Sequence, residues 1–289
     1  MVTRGKRISV GTANLENSYG SKGLKTSLRI SDAEKIIGLI ISQPGYSIDT
    51  SPDYGQAESI LGKLFNGLPF DKINSKVSPE NFKSSQAIVD SVEASLERLQ
   101  QNSLNVIMLH GGFNEILKFQ DQIEEGIKKV IKLGYANHIG FSAYSENEIL
   151  EIRNLLPTVS NFQILENIAD QRVINSKLIS ELAESGIGFQ VRSIFLQGKL
   201  LQKNVAENFP ELLPILENID KLADKFKTTR LAICLEYGRS ITWAEELVVG
   251  VESYENFIEI QSIMKAPKLE IVDFGKPLPK GLADPREWK

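Results

Sequence analysis

Residues 84–110 read SSQAIVDSVEASLERLQQNSLNVIMLH, and this stretch joins a helix to a strand. Ser84 and Ser85 are good N-cap residues, after which Ile88, Val92, Leu96 and Leu99 recur at three- and four-residue steps and share one face. Val106 to Leu109 is then an unbroken apolar run that stops at His110. A helix with one apolar face followed by a doubly buried strand is a repeat unit of a parallel sheet.

The same alternation extends in both directions. Strands are predicted at Ile8–Thr12, Tyr46–Asp49, Lys72–Val77, Val106–His110, His138–Ser142, Asn161–Leu165, Gly188–Ser193 and Leu247–Gly250. Helices fit Asp32–Ser42, Gln56–Phe65, Asn147–Leu155, Asn175–Ser185, Ile215–Lys227, Thr229–Arg239 and Tyr254–Met264. One more runs through Ile123, Ile127, Val130 and Ile131 and stops at Leu133-Gly134, where glycine can take a left-handed C-terminal cap. Eight strands with intervening helices in 289 residues match a (β/α)8 TIM barrel, for which about 250 residues is typical. A doubly wound open sheet is the second choice. No linker divides the chain, so a single domain over residues 1–289 is expected, with an irregular C-terminal tail from Pro267 to Lys289.

Composition narrows the function. With 42% hydrophobic and 24% charged residues and a net charge of −4, the chain has a globular balance and no basic run suited to nucleic acid. Its longest strongly apolar stretch, residues 36–41, is far short of the roughly 20 residues that span a bilayer, so no membrane partner is expected. Cys234 is the single cysteine, which suits a reducing, cytoplasmic location. With only His110 and His138 beside it, no zinc set and no metal site are expected. Neither a phosphate-binding P-loop nor a Rossmann glycine fingerprint occurs.

In a parallel barrel the chemistry sits at the C-terminal strand ends, so polar residues where apolar runs stop are informative. Asp49 ends the second strand, with Tyr54 five positions on in the following loop; Lys76 ends the third and His110 the fourth. A phenol with a pKa of about 10 is a poor acid near neutrality. An adjacent ammonium lowers that value, and a carboxylate holds the lysine charged. Tyr54 then becomes a usable general acid, while a neutral His110 orients a substrate carbonyl. Singly, each residue has a plainer role as cap, loop aromatic, surface charge or core histidine. What the set lacks is a hydride, which a nicotinamide cofactor would supply.

Ile48-Asp49-Thr50-Ser51-Pro52-Asp53-Tyr54-Gly55-Gln56-Ala57-Glu58, with Leu61-Gly62 after it, resembles the signature of the aldo-keto reductase family. So do Ser95–Leu99 running into Leu104–His110, and Ile139-Gly140-Phe141-Ser142. The resemblance covers Ile8 to about Met264 and implies a catalytic tetrad of Asp49, Tyr54, Lys76 and His110. It also implies cofactor contacts from Ser142, Gln163 and Arg192, and from Gly250 and Asn256 at the 2′-phosphate positions; smaller candidates are Gly11-Thr12-Ala13 beside the nicotinamide and Ser193, Leu196, Gln197 and Gly198 beside the pyrophosphate. Residues 191–198 are similar to bacterial members associated with sugar or envelope polysaccharide metabolism.

Three departures from the family pattern stand out. Ala143 replaces the usual Asn after the nicotinamide-contacting serine. Arg192 stands where an aromatic usually stacks on the nicotinamide, although a guanidinium also stacks on rings. Gly250-Val251 and Asn256 replace the Lys-Ser and Arg that hold a 2′-phosphate. NADP(H) is the family expectation and NAD(H) the alternative, since charge-assisted contacts carry the discrimination.

The resulting expectation is an NAD(P)H-dependent oxidoreductase that reduces an aldehyde or ketone, sugar-derived in one version, to an alcohol. A barrel glycosidase would need two opposed carboxylates, whereas the fourth and seventh strands end in His110 and Ser193. A cofactor-binding regulatory or interaction subunit with little turnover is the other alternative. Trp243 is read as packing, and Trp288 as packing or as a cover over substrate. The sequence is silent on oligomeric state.

Overall fold

The computed structural model describes residues 6–16 and 27–279. Eight parallel strands close into a barrel in chain order: β1 (Arg7–Gly11), β2 (Tyr46–Asp49), β3 (Ile73–Val77), β4 (Leu104–Leu109), β5 (Ala136–Ala143), β6 (Val159–Leu165), β7 (Gly188–Arg192) and β8 (Glu246–Gly250). β8 returns to β1 with Arg7 opposite Glu246 and Gly11 opposite Gly250. That closure excludes the open sheet, because no strand is left with an unpaired edge.

The helices around it are α1 (Ile30–Ser42), α2 (Ala57–Phe65), α3 (Ser85–Leu99), α4 (Phe113–Lys118), α5 (Gln120–Lys132), α6 (Glu146–Leu155), α7 (Lys177–Glu184), α8 (Leu213–Phe226), α9 (Arg230–Ser240) and α10 (Tyr254–Lys265). In α3 the Ser84 hydroxyl accepts from Ala87 N, and Ile88, Val92, Leu96 and Leu99 are buried as their spacing requires. Each such side chain contributes on the order of 2 kcal/mol by leaving water. The α2–α3 crossing depends on Gly62, because a Cβ there would stand 2.2 Å from the Arg98 carbonyl oxygen.

One helix is additional to the sequence reading and several boundaries move, with β4 and β6 beginning at Leu104 and Val159, β4 and β7 ending at Leu109 and Arg192, and α7 shortened to Lys177–Glu184. α4 was not expected; it follows Gly111 and Gly112, both at positive φ, which turn the chain sharply after β4. β5 begins at Ala136 rather than His138, since Leu104 pairs with Ala136 across the sheet.

Inside the barrel, register places Lys76, Met108, Gly140, Asn161 and Gly188 in one row. The row needs its glycines: a Cβ at Gly140 would lie 2.3 Å from Met108 Sδ, and one at Gly188 would lie 2.1 Å from Asn161 Oδ1. The described part of the tail, residues 267–279, is irregular and lies on the body. Leu278 N donates to Ala169 O, Asn218 Nδ2 donates to Phe274 O, and Phe274 meets Tyr237 edge-on. Cys234 on α9 is fully buried, and burial pushes its thiol up to about 12. Trp243 packs against Phe189 as expected, whereas Trp288 lies outside the described residues. Among the described residues, no helix is long and apolar enough to cross a membrane, and no group of three or more His, Cys, Asp or Glu side chains could hold a metal.

Candidate active site

The C-terminal strand ends open into a cavity of about 910 Å³. Asp49, Tyr54, Lys76 and His110 all line it, so the four residues singled out at successive strand ends do converge. Lys76 and Asp49 are almost fully buried. Lys76 Nζ donates to Asp49 Oδ1 at 2.6 Å and to Thr50 O at 2.8 Å, and it also hydrogen-bonds Tyr54. Tyr54 is presented by a tight turn in which its N–H donates to Ser51 O and Gly55 takes a φ of 62°.

The electrostatics correct one expectation. Burial pushes the Tyr54 phenol above its ordinary value; Lys76 pulls it down but does not prevail. Tyr54 therefore keeps its proton at neutral pH, beside the Lys76 ammonium. Burial also lowers Lys76, yet Asp49 and Tyr54 outweigh it, so the ammonium is retained. His110 is held down at about 4 by burial, with Lys76 and Arg192 adding to the effect. Its imidazole is neutral at physiological pH, and Nδ1 is buried without a partner.

Around this centre, Gln163 Nε2 donates to Asp49 Oδ2 at 2.7 Å and to Gln190 Oε1 at 3.0 Å. Both amide hydrogens are thereby used, which leaves Gln163 Oε1 as an acceptor toward the cavity. Ser142, which is not itself among the cavity-lining residues, sits beside Gln163 in the sheet, and its buried Oγ has no partner. A carboxamide-like group, which both donates and accepts, matches that pair.

The remaining candidates divide. Gly11, Gln163, Arg192, Ser193, Gly198, Gly250 and Asn256 line the cavity, as does Gln197. Thr12 does not: its hydroxyl and its N–H both donate to Asp49 O, so it clamps β1 to β2 beneath the site. Leu196 does not either, because its side chain is fully buried and its N–H donates to Ser193 O. The turn containing it is strained, with positive φ at Ser193, Leu196, Gln197 and Gly198. Glu58, part of the Asp49–Glu58 motif, lies below the cavity, where it accepts from Ser75 Oγ and Arg98 Nε and staples α2 to β3 and α3.

Tyr144, Lys203 and Glu252 line the cavity but were not anticipated. Tyr144 carried a faint signal, two residues after Ser142 at a strand end. Lys203 and Glu252 sit in connections without any motif.

Family comparison decides the class. The aldo/keto reductase family model matches residues 7–273. The chain belongs to the aldo/keto reductase family. This aldo/keto reductase is accordingly an oxidoreductase acting on carbonyl compounds. No curated protein sequence matches it significantly. Among solved structures it is similar in fold to an aldo-keto reductase from Bacillus halodurans in its holo form. That match has 19% identity and a TM-score of 0.72, covering 92% of this chain and 88% of the other. It is also similar to a thermostable aldo-keto reductase in complex with the inhibitor epalrestat. There the identity is 17%, the TM-score 0.68 and the coverage 91% of both chains.

Proposed function

We propose that this reductase converts an aldehyde or ketone to an alcohol, with Tyr54 as general acid, and that a sugar-derived carbonyl compound is its substrate class. The observation that carries the reading is the buried Asp49–Lys76–Tyr54 chain beside a neutral His110 at the mouth of the barrel. His110 orients the carbonyl oxygen between itself and Tyr54 Oη. As the carbonyl carbon is reduced, negative charge grows on that oxygen, and Tyr54 Oη gives up its proton to form the hydroxyl. Lys76 Nζ stabilises the phenolate left behind, and Asp49, fixed by Gln163, holds Lys76 in place. The reverse oxidation uses the same groups.

A nicotinamide cofactor, when bound, supplies the hydride. The orphaned Ser142 Oγ and the free acceptor of Gln163 fit its carboxamide, and Ser193, Gln197, Gly198, Gly250 and Asn256 fit the rest of a dinucleotide. NADP(H) is the first cofactor we propose, with Lys203 the cation available to a 2′-phosphate. NAD(H) is the second, favoured by the Glu252 carboxylate on the same wall and by the neutral Gly250 and Asn256.

The test is Tyr54→Phe, assayed with NADPH and NADH against a panel of sugar aldehydes. We expect cofactor binding, followed by fluorescence quenching, to persist while carbonyl reduction falls about 10²- to 10⁴-fold. Undiminished turnover would overturn the role of Tyr54. Cofactor binding without turnover in the native protein would favour the regulatory-subunit alternative.

A further inference from the structure

Arg192 ends β7 and stacks its guanidinium on the Tyr144 ring at 4.5 Å, both residues lining the cavity that holds the tetrad. Stacking occupies a face of the guanidinium and leaves its edge to be explained. Nε and Nη2 of Arg192 are shielded from solvent and have no hydrogen-bond partner. These two nitrogens form the side-on fork that matches a carboxylate bidentately. A shielded, unsatisfied charged donor is costly, and a native structure that keeps one calls for an acceptor the protein itself does not supply.

Charge balance points the same way. At the tetrad end, Asp49 is answered by Lys76, His110 is neutral and Tyr54 is protonated. Arg192 is the remaining cation there, and among the described residues no carboxylate forms an ion pair with it. Its charge reaches both reacting groups, since it acts on His110 and on Tyr54. An anion on the Arg192 fork would share the cavity lined by Tyr54 and His110 with the carbonyl being reduced.

We infer that the Arg192 fork binds a carboxylate attached to the reacting carbonyl carbon, so that the preferred substrates are 2-oxo acids, sugar-derived or otherwise. This rests on the carbonyl-reductase reading and narrows it from any carbonyl compound to an anionic one. Tyr144 acts as a positioning residue, holding the guanidinium plane at the cavity wall.

The experiment compares phenylglyoxylate with its neutral methyl ester, which presents the same ketone, in the native enzyme and in Arg192→Met and Arg192→Lys. Mandelate binding is measured alongside by calorimetry with oxidised cofactor present, and folding is checked by circular dichroism. We expect the acid-to-ester ratio of kcat/KM to fall about ten- to a hundredfold in Arg192→Met, as loss of a charge-assisted pair predicts. Arg192→Lys should restore part of it, and mandelate affinity should fall in parallel with the ratio. An unchanged ratio, with acid and ester losing turnover equally or cofactor affinity lost instead, would overturn the inference and assign Arg192 to the cofactor alone. If neither ketone is reduced but mandelate binding still depends on Arg192, the anion site stands and the reductase reading fails. If mandelate binds equally well without Arg192, the inference fails whatever the turnover.

Discussion

The two ends of the cavity are built differently. Where β2, β3 and β4 end, the polar side chains are tied to one another across strands: Lys76 to Asp49, Asp49 to Gln163, Gln163 to Gln190. Where the connections after β7 and β8 form the wall, the groups offered are exposed and come from loops, with Lys203 and Glu252 of opposite sign. The first end is preorganised by the barrel and tolerates little change. The second can exchange one charge for another without disturbing a strand, so on the function we propose chemistry and cofactor choice are separable.

The sharpest way to break this comparison is at the tetrad. Lys76→Met removes the ammonium that contacts Tyr54, and with it the phenolate stabilisation we propose, and leaves Asp49 buried without its ion-pair partner. We expect at least a 10²-fold fall in kcat together with a lower melting temperature, measured by steady-state kinetics and calorimetry. A loss of stability without a loss of turnover would reduce the Asp49–Lys76 pair to scaffolding.

At the other end, Asn256→Arg should tighten NADPH binding about tenfold while leaving NADH nearly unaffected, as read from the two dissociation constants at fixed salt. Glu252→Gln should move the NADPH constant the same way by a smaller factor. If neither responds, the 2′-position lies away from the β8–α10 connection.

A pH profile sharpens the contrast further. His110 sits near 4 in the folded protein against about 6.5 unfolded, so its neutral form favours folding. That contribution is full above about 6.5 and is lost as pH falls toward 4. The acid limb of kcat/KM attributable to His110 should therefore lie near 4 and disappear in His110→Gln; a limb near 6.5 would mean that water reaches the imidazole.

The smallest expected effect concerns Glu166, buried just past β6, which accepts from Tyr237 Oη and from Val173 N. Burial raises its carboxyl to about 8, so the fold favours the protonated form. Its contribution is present below about 4.5 and is lost as pH rises through 8. Glu166→Gln should melt at a higher temperature relative to the native chain at pH 8.5 than at pH 5. Equal differences at both values would show that Glu166 does not titrate in that window.

The legible parts of the molecule were those where one residue type has one use. The run from Val106 to Leu109 could only be buried on both faces, and Asp49, Lys76 and His110 marked the points where such runs stop. α4 was invisible because it is six residues long and follows two glycines. Leu196 enters the core, which a turn's sequence does not reveal, since it does not say which residue dives inward and which faces outward; the backbone of this turn, with positive φ from Leu196 to Gly198, decides it. Lys203 and Glu252 could not be found, since a charged loop residue facing a cavity reads the same as one facing bulk water. The phenol lies higher than its lysine neighbour alone implies, because burial of Tyr54 outweighs the ammonium, and no sequence shows how deep a side chain will lie.

The lone thiol of Cys234 has a practical use. Buried in α9 and pushed up to about 12, it is inert toward maleimides and mild oxidants under ordinary conditions. With no other cysteine in the chain, the protein is a ready background for site-specific labelling. A cysteine introduced at Asn204, on the cavity rim, would carry the only reactive dye and report in real time when that rim meets a ligand.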